Sequence, residues 1–161
     1  MNLEELYDRF GDRLYRYLFV KLGSAEDAED VLQEVFYRLA RYSIRLKFVR
    51  GHAAFIFQIA RNEANRFLGK KMRERSDCRN NPELHEIIRA SISGPDKESE
   101  NLLSTTLVQL PEEQREVIVL KYFVELTFRE IASVCGISIN TAASRYSYGI
   151  VKLRSLLEGK L

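Results

Sequence analysis

Thr127-Phe-Arg-Glu-Ile-Ala-Ser-Val-Cys-Gly-Ile-Ser-Ile-Asn-Thr-Ala-Ala-Ser-Arg145 decides the fold of this chain, because it punctuates two short helices and the turn between them. Thr127 followed three residues later by Glu130 is a capping box. The hydroxyl takes the amide of Glu130, and the carboxylate reaches back to the amide of Thr127. Ile131, Ala132 and Val134 make a short scaffold helix. Gly136 ends it, since a tight turn needs the left-handed conformation that glycine adopts without steric penalty. Ile137 fills the angle between the helices, and Ser138 caps the second. From Ile139 on, Ala142, Tyr146, Ile150, Leu153 and Leu157 recur at helical spacing as a buried stripe. Thr141, Ser144, Arg145, Tyr148 and Lys152 fall on the opposite face. Short hydroxyls and a planar cation near a helix start are the groups that reach base edges and phosphates in a major groove. An ordinary α-α corner with a solvated polar face shares the spacing. The capping box, glycine turn and basic-hydroxyl face in this order favour a DNA-binding helix-turn-helix.

The 161 residues suffice for one medium domain or two small ones, with 45% hydrophobic residues to form a core and 30% charged residues to keep it soluble. A net charge of +2 excludes a polycation, so the distribution matters more than the total. Residues 1–75 hold 15 Lys/Arg against 11 Asp/Glu, residues 76–101 hold 3 against 6, and residues 102–161 hold 7 against 6. The acidic middle reads as a tether between two units. Cys78 and Cys135 are the only cysteines, and His52 and His85 stand apart from them. That leaves no metal set and no disulfide framework, and Cys135 on the scaffold helix is expected to pack in the core. Met1-Asn-Leu-Glu-Glu has no basic start or apolar follow-on, and no run approaches the ~20 apolar residues of a membrane span. The expectation is a cytoplasmic chain with no membrane insertion.

The first segment puts Leu3, Leu6, Tyr7, Phe10, Leu14, Tyr17 and Leu18 on one stripe and ends at Gly23. Ser24 caps the second helix, with Asp27 as a weaker capping-box partner. Ala28, Val31, Leu32, Val35, Phe36 and Leu39 form its buried face, while acidic and amide residues, among them Asp30, Gln33 and Glu34, crowd its first turns. Acids there suit the helix dipole; they also make an exposed platform for a basic partner. Tyr42 to His52 reads as a loop with Tyr42, Leu46, Phe48 and Arg50. Such aromatics usually pack downward, but exposed among cations they stack single-stranded bases. From Ala53 to about Arg75 a third helix buries Ile56, Ile59, Ala60, Ala64 and Phe67. Its other side carries Gln58, Arg61, Asn62, Asn65, Arg66, Lys70 and Arg73. Amides interleaved with cations suit nucleic acid better than a merely solvated face. After the tether, Leu102, Leu103, Leu107 and Leu110 begin a further helix, and Pro111 with Glu112 and Glu113 starts another whose apolar residues run nearly all round. The fold class is all-α: two small helical domains, 1–75 and 102–161, joined by a flexible linker at 76–101, the second containing the helix-turn-helix.

Leu6-Tyr-Asp-Arg-Phe-Gly11, Asp27-Ala-Glu-Asp-Val-Leu-Gln-Glu-Val-Phe36 and Phe57-Gln-Ile-Ala-Arg-Asn62 resemble the first domain of bacterial RNA polymerase sigma factors. Leu110-Pro-Glu-Glu-Gln-Arg-Glu-Val117 and the stretch from Thr127 to Arg145 resemble the last. Two such domains with only a short linker between them is the layout of the extracytoplasmic-function group. The resemblance implies that Asp30, Gln33 and Glu34 dock on core RNA polymerase. It implies that Phe48, Arg50, Arg61, Asn62, Asn65, Arg66 and Lys70 bind and open the −10 element of promoter DNA. Asn140, Thr141, Ser144, Arg145, Tyr148 and Lys152 would then read the −35 element. Phe55 stands where the family usually has Trp, Ala142-Ala143 replaces a Val-Lys pair, and His52-Ala53-Ala54 replaces acidic-polar residues after Gly51. The family's members are not enzymes and need no cofactor or small-molecule substrate; a restraining anti-sigma factor is a further partner that the sequence does not name. Outside the resemblance, a stand-alone helix-turn-helix regulator fits the second domain. No nucleophile-base pair, paired carboxylates or phosphate-binding loop supports an enzyme.

Overall fold

A computed structural model describes residues 2–49, 51–74 and 97–159, and every regular element in them is helical. Helix α1 (Leu3–Leu22) starts where Asn2 Oδ1 accepts the amide of Glu5 at 2.8 Å and stops at Gly23 with φ 75°. Helix α2 (Ala25–Arg41) is capped by Ser24, and α4 (His52–Glu74) lies against both. Their shared core holds Leu6, Phe10, Leu14, Leu18, Val35 and Leu39, with Tyr17 and Phe57 in edge-to-face contact at 5.7 Å between ring centres. Each such fully buried side chain contributes about 1.5–3 kcal/mol over leaving it exposed.

The segment 42–52, expected as a loop, is only partly one. Ser43–Leu46 forms a helical turn, α3, and Leu46 is buried, so its side chain packs into the core. His52 already belongs to α4, with its Nε2 2.7 Å from the carbonyl of Leu46. Phe57, not assigned to the core from sequence, is fully buried. The tether lies outside the described residues up to position 96, and residues 97–101 are the start of α5 (Lys97–Val108).

Pro111 sits one position before α6 (Glu112–Ile118), where its missing N–H costs nothing. A π turn, Val119–Phe123, continues it, closed by Val124 N–H donating to the carbonyl of Val119 at 3.1 Å. The extra residue of the π turn buries Val119, Leu120 and Val124 while leaving Tyr122 outside. The nearly all-round apolar character expected of this helix is borne out at Val117 to Leu120, four consecutive buried residues, and Tyr122 is the exception. Glu125 then takes a left-handed φ of 63° and leads into α7 (Phe128–Cys135) and α8 (Ile139–Glu158). Helix α8 packs on α5, α6 and α7. Helix α7 also lies on α4, so one continuous core runs from Leu6 to Ala142 through both halves.

Candidate nucleic-acid interface

Short-range bonds set the aim of α8. The Thr127 hydroxyl oxygen accepts the amide of Glu130 at 3.1 Å, as the capping box requires. Glu130 departs from the expected box: its carboxylate accepts the Thr127 hydroxyl proton at 3.0 Å instead of reaching the Thr127 amide. Gly136 holds φ 66° and donates to the carbonyl of Ala132, and the Ser138 hydroxyl oxygen accepts the amide of Thr141 at 3.0 Å. Phe128 meets Tyr146 edge-to-face at 5.4 Å and carries the Lys121 ammonium over its ring, which ties the start of α7 to the middle of α8. Gly149 was missed in the sequence. A Cβ there would stand 2.8 Å from Ile118 Cδ1 and 3.3 Å from Gln114 Cβ, so glycine is what lets α8 lie this close to α6. The available signal was a glycine inside an otherwise regular helix, where it costs about 1 kcal/mol and needs a packing reason.

On the outward side of α8, Asn140, Ser144, Tyr148 and Lys152 are exposed, while Thr141 and Arg145 are half-buried. The Thr141 hydroxyl shares a hydrogen bond with Ser138 at 2.8 Å. An Arg145 guanidinium nitrogen lies 3.6 Å from a Glu113 carboxylate oxygen on α6, a long contact to an exposed partner. Such a pair holds the cation loosely.

A second surface runs along α4. Gln58, Asn62, Asn65, Arg66 and Lys70 are exposed in a row at helical spacing. Phe48, 83% exposed, projects from the segment before it. Arg50 and the side chain of Arg73 lie outside the described residues. Tyr42 is held back by an edge-to-face contact with Phe55 at 6.0 Å, and both rings are half-buried. Glu63, also missed, is a buried carboxylate with Arg38 Nε at 2.6 Å and Arg66 at 3.7 Å. It joins α2 to α4 and steadies one of the exposed cations.

Arg61 does not join this row. Its Nε donates to Glu116 Oε1 at 3.0 Å, on α6 of the other half, and Tyr17 Oη and Lys21 Nζ donate to the same oxygen at 2.7 and 3.1 Å. Burial alone would raise the Glu116 carboxyl; Lys21, Tyr17 and Arg61 outweigh it and hold it below its ordinary value. Burial and the Glu116 charge push the Tyr17 hydroxyl well up. Burial, followed by the nearby Glu116 charge, raises the Cys135 thiol to about 11, and its side chain packs in the core as expected.

The third surface is on α2, where Asp30, Gln33 and Glu34 are all exposed and Glu34 lies 3.5 Å from Arg38. Asp27 instead pairs with Lys71 and so helps fasten α2 to α4. Among the described residues no group of His, Cys, Asp or Glu is gathered to hold a metal, and no helix is long and apolar enough to cross a membrane.

Two separate stretches of the chain match known families: residues 6–74 match Sigma-70 region 2, and residues 100–153 match Sigma-70, region 4. RNA polymerase sigma factor SigZ of Bacillus subtilis is 29% identical over 163 residues, spanning 99% of this chain and 89% of its own. ECF RNA polymerase sigma factor SigW of the same organism is 27% identical, spanning 95% and 87%. The chain is a sigma factor of the extracytoplasmic-function group. Its α1 to α4 fall largely in the region 2 match, and α5 to α8 largely in the region 4 match. Among solved structures, this sigma factor's fold resembles that of RpoE from Bartonella quintana, solved with the anti-sigma factor NepR. The TM-score is 0.72 at 20% identity, covering 96% of this chain and 98% of that one. CnrH, solved with the cytosolic domain of CnrY, gives a TM-score of 0.68 at 23% identity, covering 99% and 89%. At those identities the likeness concerns the fold.

Proposed function

We propose that this sigma factor divides its work among the three surfaces. The exposed row Asp30, Gln33 and Glu34 on α2 docks on core RNA polymerase. Asn62, Asn65, Arg66 and Lys70 on α4, with Phe48 from the segment before that helix, and Arg50 and Arg61, bind and part the −10 element of promoter DNA. Asn140, Thr141, Ser144, Arg145, Tyr148 and Lys152 on α8 read the −35 element. The chain acts as a non-enzymatic factor in the cytoplasm, where polymerase and promoter are, and an anti-sigma factor is a partner of the kind RpoE from Bartonella quintana carries.

The observation that carries this reading is the α4 row. Asn62 offers both a donor and an acceptor, flanked by exposed Asn65 and Arg66, with the ring of Phe48 free to stack. Extruding a base from the duplex costs a few kcal/mol, which edge hydrogen bonds and stacking offset. Asn62→Ala in the polymerase holoenzyme is expected to lower transcription from duplex promoters by roughly tenfold or more. On a template whose −10 element is already mismatched open it should recover most of the loss. Equal defects on both templates would remove Asn62 from strand opening.

A further inference from the structure

The two halves touch through a polar cluster that none of the three surfaces explains. Glu116 on α6 is nearly buried, its side chain 10% exposed, and three donors from the other half converge on it. Tyr17 and Lys21 come from α1, and Arg61 comes from α4. Lys21 is buried to 6% exposure, and it reaches Glu112 on α6 as well, at 3.8 Å. Nearby, Arg13 of α1 donates to the carbonyl of Val124 at 3.3 Å, just before the left-handed Glu125. A buried carboxylate is tolerated only when paired and hydrogen-bonded, and so are buried cations. In the closed chain each half therefore supplies the partners of polar groups that the other half encloses. One of those groups, Arg61, belongs to the set that the reading above assigns to the −10 element.

We propose that Glu116 is a clasp: it closes the second domain onto the first in the free chain and withholds Arg61 from DNA until the halves part. The assignment of Arg61 to DNA rests on the function proposed above; the clasp itself does not. Arg61 commits Nε and one Nη to Glu116 at 3.0 and 3.5 Å, so in the closed chain the paired side of its fork is not available to a phosphate or a base, and a bidentate contact through that side requires this bond to break. Parting the halves strips Glu116, Lys21 and Arg61 of their mutual partners at once. Water has to replace them, which makes the transition a two-position switch.

The test uses the full chain in solution. A closed chain of this length has a radius of gyration of about 15 Å, and small-angle scattering of the wild type should give a value near that. Glu116→Lys puts three cations together and should expand the chain by several ångström with its helical content intact. Exchanging the charges, Lys21→Glu with Glu116→Lys, should bring the dimension back toward the wild type. A milder variant, Lys21→Ala, should expand the chain partway. An already extended wild type, or native-sized and fully helical Glu116→Lys and Lys21→Ala chains, would overturn the clasp. A second readout addresses Arg61. Binding of a single-stranded −10 oligonucleotide should strengthen several-fold in Glu116→Lys. The comparison is Glu4→Lys, which makes the same charge change at an exposed site. Expansion with no gain beyond that control would leave the contact as a tie between domains and overturn the withholding of Arg61.

Discussion

Arg145 and Arg61 carry the same side chain and have different circumstances. Arg145 is loosely held by an exposed Glu113 at 3.6 Å, so little is lost when it swings toward a groove. If it makes a bidentate contact to a base, Arg145→Ala should cost about 1–3 kcal/mol and relax preference at one position of the upstream element. A phosphate contact would instead weaken all sequences alike and reduce the salt slope by about one. Transcription by the holoenzyme on a panel of −35 variants separates the two, and an unchanged panel removes Arg145 from recognition. Arg61 was legible in the sequence as a cation on a polar helix face. Its partner was not, because Glu116 is remote in sequence and nothing local links them. The same blindness hid Glu63: amphipathic spacing assigns every charge to solvent, and only a packed structure shows which carboxylate has been enclosed with its arginine.

Helices whose limits are set by neighbouring residues were readable, and those set by distant packing were not. Ser24, Thr127 and Ser138 are readable as caps because a cap bond spans only three residues; the Asn2 cap on Glu5 has the same span and was missed although equally legible. Gly23 and Gly136 were legible as stops for the same reason. The core side of α4 is wider than its spacing suggests, since α1, α2 and α7 all cover it, which explains the buried Phe57. The crossing of α8 on α6 depends on Gly149 and could not be read without knowing what faces it. Gly149→Ala adds a methyl that Ile118 Cδ1 can evade, while Gln114 Cβ is less free to move, so gain in helix propensity and crowding oppose each other. Gly149→Leu has no such balance. It should destabilise the chain by about 1–3 kcal/mol or more as the two helices are forced apart, measured as a fall in the urea midpoint. An unchanged midpoint would mean that the crossing tolerates a wider spacing.

At the scale of the whole chain, acidity should act on the join between halves before it acts on either half. Glu116 faces Tyr17 and Lys21 from α1, Arg61 from α4 and Cys135 from α7, with Glu112 beside it on its own helix. Its carboxyl is held below an ordinary value of 4.5, so its contribution is complete above that pH and is lost as pH falls through the depressed value. The radius of gyration should therefore stay constant from pH 7 to about 5 and grow only below the ordinary carboxylate range, with far-UV dichroism changing later. Glu116→Gln should show no such step over that window. Simultaneous loss of helix and compactness in the wild type would place the acid sensitivity elsewhere. The π turn at Val119–Phe123 bears on a different property, the phase between α6 and the two helices after it. Deleting one residue from a regular helix rotates everything beyond it by about 100°. A π turn already carries a residue to spare, so losing the exposed Tyr122 would let the turn relax to α geometry with both flanks still facing as they do. Chain length can change by one at this joint while α8 keeps its heading.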